Sequence, residues 1–153
     1  MKIVGGETER LILRKWTQDD AESLFTYAKN PKVGPIAGWP PHKDIESSKY
    51  VIDNVFTGAE CYAICEKENN VAIGAVELKL NGHTDMTDRD DECELDYWLG
   101  EPFWGREYMP EAAYALMKRG FIYHHTCDEI PVPLLHEVRV GHTNVITKEQ
   151  LFG

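Results

Sequence analysis

The residues from Glu94 to Arg119 carry the most chemistry for their spacing. Glu94-Leu95-Asp96-Tyr97-Trp98-Leu99 leads into Gly100, then Glu101-Pro102-Phe103-Trp104-Gly105-Arg106-Glu107-Tyr108-Met109-Pro110-Glu111-Ala112-Ala113. The first six residues read as a strand ending at Gly100, followed by a short loop around Gly105. A helix is expected from near Pro110 to about Arg119, because proline suits a first turn, where its missing N–H would be unpaired anyway. Ala113, Leu116 and Met117 are its expected buried face. The free N–H groups and dipole at the start of such a helix form a seat for a phosphate or pyrophosphate. The spacing equally fits a strand–turn–helix unit that binds nothing. Glu94 and Asp96 lie two residues apart on one strand, so their carboxylates share a face and each raises the other's pKa.

Other constellations are weaker. His124, His125 and Cys127 lie close together, with Asp128, His136 and His142 downstream. In a strand His124 and His125 point to opposite faces, and there is no Cys-x-x-Cys pair, so a zinc site is not expected. Cys61, Cys65, Cys93 and Cys127 read as free thiols, mostly buried as small apolar residues. Neither a phosphate-binding Walker loop nor a Gly-x-Ser-x-Gly elbow is present. The acidic stretch from Asn81 to Glu92 lacks the glycine and terminal glutamate of a calcium loop and reads as a solvated connection.

The elements that must position these residues follow from periodicity. Glu9 to Lys15 alternates as a strand. Thr17-Gln18-Asp19-Asp20 opens a helix to about Lys29 through a capping-box variant, with Ala21, Leu24, Phe25 and Ala28 on one face. Asn30-Pro31 stops it. Gly34 to Pro41, with two glycines, three prolines and Trp39, is expected to hold no regular element. Such a loop either carries function or anchors itself through Trp39. Asp44 caps a second helix to about Phe56, with Ile45, Tyr50, Val51, Ile52 and Val55 as apolar positions. Cys61–Cys65 and Val71–Leu80 form a hairpin in which Val76, Leu78 and Leu80 share one face and Ala75, Glu77 and Lys79 the other. Phe121–His125 and Leu135–Ile146 read as two strands around a break at Pro131-Val132-Pro133.

With 153 residues, a single domain over 1–153 is the expectation. The chain is 42% hydrophobic and 27% charged, ordinary for a globular protein. No apolar run is long enough to span a membrane. Met1-Lys2-Ile3-Val4-Gly5-Gly6 lacks the apolar core of a signal peptide, so the cytoplasm is expected. A net charge of −10 argues against nucleic acid as a partner and suits a cationic substrate, although it also serves solubility.

The run Glu94–Leu99, with Phe103-Trp104-Gly105-Arg106 and Tyr108-Met109-Pro110-Glu111-Ala112, resembles the acetyl-CoA-binding segment of GNAT acetyltransferases. Thr8-Glu9-Arg10-Leu11-Ile12-Leu13-Arg14, then Thr17-Gln18-Asp19-Asp20-Ala21, is similar to the opening of the branch that includes ribosomal-protein N-terminal acetyltransferases. Gly74 after the hairpin turn fits as well. The resemblance implies an α+β (α/β) fold with a mixed, mostly antiparallel central sheet flanked by helices. It also implies acetyl-CoA as co-substrate, an amine acceptor that attacks directly, and a homodimer as one candidate assembly. Amides of Trp104, Gly105, Arg106, Glu107, Tyr108 and Met109 would grip the pyrophosphate. Tyr97, Trp98 and Leu99 would pair with the pantetheine arm and present an N–H to the thioester oxygen, worth about 3–4 kcal/mol. Glu94 stands where related enzymes often place a glutamate that acts as base, and Asp96 could share that task. Trp39 and His42 would help line the acceptor site.

Two departures follow. Pro102 and Glu107 stand at the first and last positions of the family's Gln/Arg-x-x-Gly-x-Gly/Ala loop. A glutamate at the last one is unfavourable beside a pyrophosphate and costs about 1 kcal/mol if that position needs a positive φ. After Lys118-Arg119-Gly120-Phe121 the family continues with a parallel strand and a further helix, a crossover of roughly 30 residues. This sequence passes directly to Ile122-Tyr123-His124-His125, so the crossover is expected to be missing after Gly120. The alternative to an acetyltransferase is therefore a degenerate CoA-binding or interaction domain, and a metal-binding protein is the third reading.

Overall fold

The computed structural model describes residues 6–80, 93–117, 126–132 and 137–142, with side chains over 6–79 and 94–116. Five strands form one antiparallel sheet in sequence order: β1 (Gly6–Glu7), β2 (Leu11–Arg14), β3 (Cys61–Glu66), β4 (Ala72–Leu80) and β5 (Cys93–Leu99). Helices α1 (Ala21–Ala28), α2 (Gly34–Ala37) and α3 (Ile45–Asn54) lie between β2 and β3, and α4 (Tyr108–Met117) follows β5. A separate two-stranded ribbon pairs β6 (Thr126–Val132) with β7 (Glu137–His142).

Strand alternation divides the core between the two faces of the sheet. Cys61, Ala63, Cys65, Ala75 and Trp98 pack with Leu24, Ala28 and Ile52 of α1 and α3. Leu11, Leu13, Tyr62, Ile64, Val76, Leu78 and Leu99 pack with Ala112 and Leu116 of α4. Small residues under α1 and α3 let those helices approach closely, while large aliphatics fill the space beneath α4. The expected flanked antiparallel sheet is the observed one. Burial pushes the thiol of Cys61 up to about 12 and that of Cys65 up to about 11, as befits inert core cysteines.

The capping box forms as expected, on a 3₁₀ turn at Gln18–Asp20 that runs directly into α1. Asp20 Oδ2 accepts from the Thr17 N–H at 2.9 Å and from its hydroxyl at 3.2 Å. Arg14 adds a two-pronged contact to the same carboxylate, both bonds 2.8 Å. Asp44 likewise accepts from the Ser47 N–H at 2.7 Å and caps α3. Of the expected apolar positions Ile52 is buried and Val51 partly so, while Ile45 and Tyr50 of α3 and Val55, just past its end, are exposed. Ten residues on one sheet face bury a stripe, and these three fall outside it.

Three expectations require correction. Gly34–Ala37 forms the one-turn helix α2, with Pro35 in its first turn and Gly38 (φ 98°) as a left-handed cap. Proline at that position favours a turn of helix rather than preventing it, and the glycine ends it at no steric cost. The helix α4 starts at Tyr108, so Pro110 is its third residue, still among the positions whose N–H lacks an acceptor. Finally, the strand runs through Pro131 and Val132, paired with Val138 and Glu137, where a break was expected. In a two-stranded ribbon each strand is an edge, and an outward-facing proline nitrogen forfeits no ladder bond there. The expected strand Phe121–His125 and the acidic stretch 81–92 lie outside the described residues.

Candidate active site

The C-terminal end of β5 and the N-terminal end of α4 meet around an unusual stretch of backbone. Gly74 of β4 stands opposite Leu99, and a side chain there would collide with the Trp98 carbonyl and with Leu99. Its hydrogen lets β4 and β5 close tightly just before β5 ends. Gly100 N–H donates to the Ile73 carbonyl at 2.8 Å. In an antiparallel ladder successive residues point alternately toward and away from the partner. Glu94, Asp96 and Trp98 therefore bond toward β4, and the N–H and C=O of Tyr97 and Leu99 face the other edge. Among the described residues no strand covers that edge. The Leu99 carbonyl is taken by the Trp104 indole N–H at 2.8 Å, which leaves the Tyr97 and Leu99 N–H groups along the edge.

Beyond a 3₁₀ turn at Glu101–Phe103, the loop enters α4. The Trp104 N–H closes that turn on Glu101 at 3.1 Å. The next five N–H groups, from Gly105 to Met109, donate to no backbone carbonyl among the described residues, and the Glu111 N–H resumes the pattern on Glu107 at 3.3 Å. Gly105 (φ 76°) and Glu107 (φ 61°) both occupy the left-handed region. Adjoining amides with left-handed residues among them form a concave cluster of donors suited to an anion. Trp104, Gly105, Arg106 and Glu107 are exposed, and Tyr108 and Met109 are half-buried against the α4 face of the core.

The carboxylates lie on the opposite face. Asp96 stands directly across from Glu77, and Glu94 across from Lys79. Lys79 Nζ lies 2.5 Å from Asp96 Oδ2 and 3.7 Å from Glu94 Oε1. The carboxylate pair on β5 is therefore part of a quartet with a cation at its centre. Burial opposes the charge of Lys79, but Asp96, Glu94 and Glu77 together hold its pKa above the ordinary lysine value. Burial raises Glu77, with Asp96 adding to the rise and Lys79 and Lys15 opposing it. Glu94 is the more enclosed of the two β5 acids, its side chain 9% exposed against 43% for Asp96.

Trp98 continues this face, and aromatic rings surround it. Trp39 meets it edge-on at 5.6 Å, and Trp16 stacks at 6.4 Å. His42 lies 5.3 Å from the Trp39 ring, and its Nδ1 is 2.8 Å from the Ser48 hydroxyl. Burial lowers the His42 pKa, so the ring is neutral at pH 7. The structure thus brings Trp39 and His42 beside the strand that carries Glu94 and Asp96, on the side away from α4.

Four residues of this region gained no role from the sequence: Glu77, Lys79, Arg10 and Glu111. The first two were legible as one face of a strand, but their register against β5 was not. Arg10 and Glu111 are 101 residues apart, yet the Arg10 Nε donates to Glu111 Oε2 at 2.8 Å.

Residues 10–140 match the model of the acetyltransferase (GNAT) domain, so the chain belongs to that family. An N-acetyltransferase of Bacillus licheniformis, p20, described as uncharacterized, is 29% identical over 119 residues, which cover 74% of this chain and 64% of that protein. This chain thus spans somewhat under two thirds of that curated relative. A GNAT-family acetyltransferase of Bacillus anthracis shares the fold with a TM-score of 0.59 at 19% identity, over 73% of this chain and 63% of its own. The ribosomal-protein-S5-alanine acetyltransferase of Vibrio fischeri does so with a TM-score of 0.55 at 14% identity, over 91% and 94%. No helix among the described residues is long and apolar enough to cross a membrane.

Proposed function

We propose that this chain, as one domain over residues 1–153, binds acetyl-CoA and transfers its acetyl group to a primary amine by direct attack. The observation that carries the reading is the run of five amides, Gly105 to Met109, at the start of α4 that meet no backbone acceptor among the described residues, beside the edge of β5 that no described strand covers. The pyrophosphate would lie on those amides, where the α4 dipole adds to their attraction. The pantetheine arm, itself an amide chain, would extend along Tyr97, Trp98 and Leu99 like an added strand, bonding the Tyr97 and Leu99 N–H groups. A backbone N–H at that edge would stabilise the thioester oxygen as it becomes an oxyanion.

The acceptor would approach from the Trp39, His42 and Trp98 side. Aromatic faces and carboxylates together suit a cationic amine. The amine must lose a proton before its lone pair can attack, and Glu94, with Asp96, is the base, acting directly or through water. The amine nitrogen forms the new bond to the acetyl carbon as the carbon–sulfur bond breaks, and the CoA thiolate leaves. A protein N-terminus and a small free amine both fit this chemistry. The family resemblance to ribosomal-protein acetyltransferases favours the former, and the cytoplasm is where such acceptors and acetyl-CoA meet.

Glu107 supports a second reading, a CoA-binding domain without turnover. It places a carboxylate and a strained φ of 61° inside the anion loop. Calorimetric titration with acetyl-CoA, combined with CoA release over a panel of amines that includes peptide N-termini, separates the two. Binding with turnover on an amine supports the first reading, and binding without turnover the second. Absence of binding overturns both.

A further inference from the structure

The amide cluster at the start of α4 is held from a distance. Glu111, in the first turn of α4, accepts from the Arg10 N–H at 2.8 Å, from the Arg10 Nε at 2.8 Å and from the Thr8 hydroxyl at 2.5 Å. The Arg10 Nη2 completes a fork on the same carboxylate at 2.7 Å. The remaining arm of the guanidinium, Nη1, donates to the Arg106 carbonyl at 2.8 Å, inside the loop whose amides meet no backbone acceptor among the described residues. The guanidinium also lies 4.6 Å over the ring of Tyr108, whose hydroxyl reaches Glu66 of β3 at 2.8 Å. One side chain just before β2 thus grips the loop, the first residue of α4 and the first-turn carboxylate at once.

This geometry has an electrostatic consequence. A glutamate in the first turn of α4 stands where a bound phosphate would be repelled. Hydrogen bonds from Thr8 and Arg10 and the Arg10 charge outweigh its burial and hold Glu111 ionised below the usual carboxylate range. Arg10 neutralises that charge while fixing the carbonyl of Arg106, and a carbonyl held one way turns the following amide the other way. We propose that Arg10 is a positioning residue, which uses Glu111 as its anchor to hold the Arg106–Glu107 peptide with its N–H turned toward the pyrophosphate of CoA. The proposal rests on the reading of the loop as a pyrophosphate site. Arginine is required for it, because one planar fork must serve the carboxylate and the carbonyl together; the point charge of a lysine cannot.

The test uses acetyl-CoA and S-acetylpantetheine, which lacks the pyrophosphate. Calorimetry on the full chain should show that Arg10→Ala, Arg10→Lys and Glu111→Gln each bind acetyl-CoA about ten-fold more weakly than the unaltered protein. The combined Arg10→Ala/Glu111→Gln variant should lose little more than either single change, as for residues acting as one unit. In turnover, the loss should fall on KM for acetyl-CoA rather than on kcat, and be several-fold smaller with S-acetylpantetheine. Full affinity in Arg10→Lys overturns the proposal, since charge alone then suffices. Equal losses on both acetyl donors also overturn it and mark a general structural role. If Arg10→Ala does not fold, Arg10→Lys and Glu111→Gln still decide the matter. Failure of the unaltered protein to bind acetyl-CoA instead overturns the pyrophosphate reading itself.

Discussion

Glu107 is where the sequence of this chain works against the anion seat that its backbone builds, and two substitutions separate the causes. Its φ of 61° costs a residue with a side chain about 1 kcal/mol relative to glycine. Glu107→Gly relieves that strain but returns roughly 0.5–1 kcal/mol through the freer unfolded chain. The net shift in melting temperature should therefore stay within about 2 °C in either direction. The effect on affinity is separate from this. A carboxylate about 7 Å from a diphosphate with two charges is repelled by roughly 1 kcal/mol in a water-like dielectric, and physiological salt halves that. Glu107→Gln, which removes the charge and keeps the backbone, should tighten acetyl-CoA binding about two- to threefold. The gain should shrink toward nothing at about 1 M salt, where charges are screened within about 3 Å. Glu107→Gly should tighten binding at least as much. Calorimetry at low and high salt reads both effects. An unchanged or weaker Kd for Glu107→Gln at low salt would refute the placement of the pyrophosphate on this loop. A fall of more than about 5 °C for Glu107→Gly would refute the strain argument.

Three further outcomes are expected. Glu94→Gln should lower kcat on the order of 100-fold, with Asp96→Asn lowering it less, because Glu94 is the more enclosed carboxylate; an unaltered kcat in the double variant would exclude both as the base. Glu77 has a folded pKa raised chiefly by burial, so its ionised form costs stability above its unfolded pKa and that cost fades as pH falls through the folded value. Glu77→Gln should therefore melt higher than the unaltered protein at pH 7 and equally at pH 4, and thermal melts at the two pH values check the sign. Burial would raise Asp20, but bonds from Arg14 and Thr17 and the charge of Arg14 hold it below the usual range; its stabilisation is present above the unfolded pKa and lost as pH falls through the folded one. Asp20→Asn should cost about 2 kcal/mol at pH 7, and that difference should shrink as pH falls below the ordinary carboxylate range, measured by urea denaturation at each pH.

Local signals determined much of this protein before any contact was known. Alternation in Cys61–Cys65 and Val71–Leu80 assigned the correct faces to Val76, Leu78, Ala75, Glu77 and Lys79, because the period of a strand is a property of its own backbone. Thr17 with Asp20, and Asp44 alone, marked helix starts for an equally local reason, an orphan N–H within reach of a nearby oxygen. The Glu94–Arg119 segment was legible as strand, loop and helix for the same cause, as far as Met117, where the described part of α4 ends. What the sequence left open depends on register and on distance. Whether Glu94 and Asp96 face each other alone or share Lys79 is decided by how β5 slides along β4, and one residue of slip would place Lys79 on the other face. Arg10 finds Glu111 only because α4 folds back across β2, a contact no local pattern encodes. The positive φ of Glu107 belongs with these. The sequence marked a glutamate where the related loop has a glycine or alanine, and the closure of the loop between β5 and α4 forces that glutamate into the left-handed region.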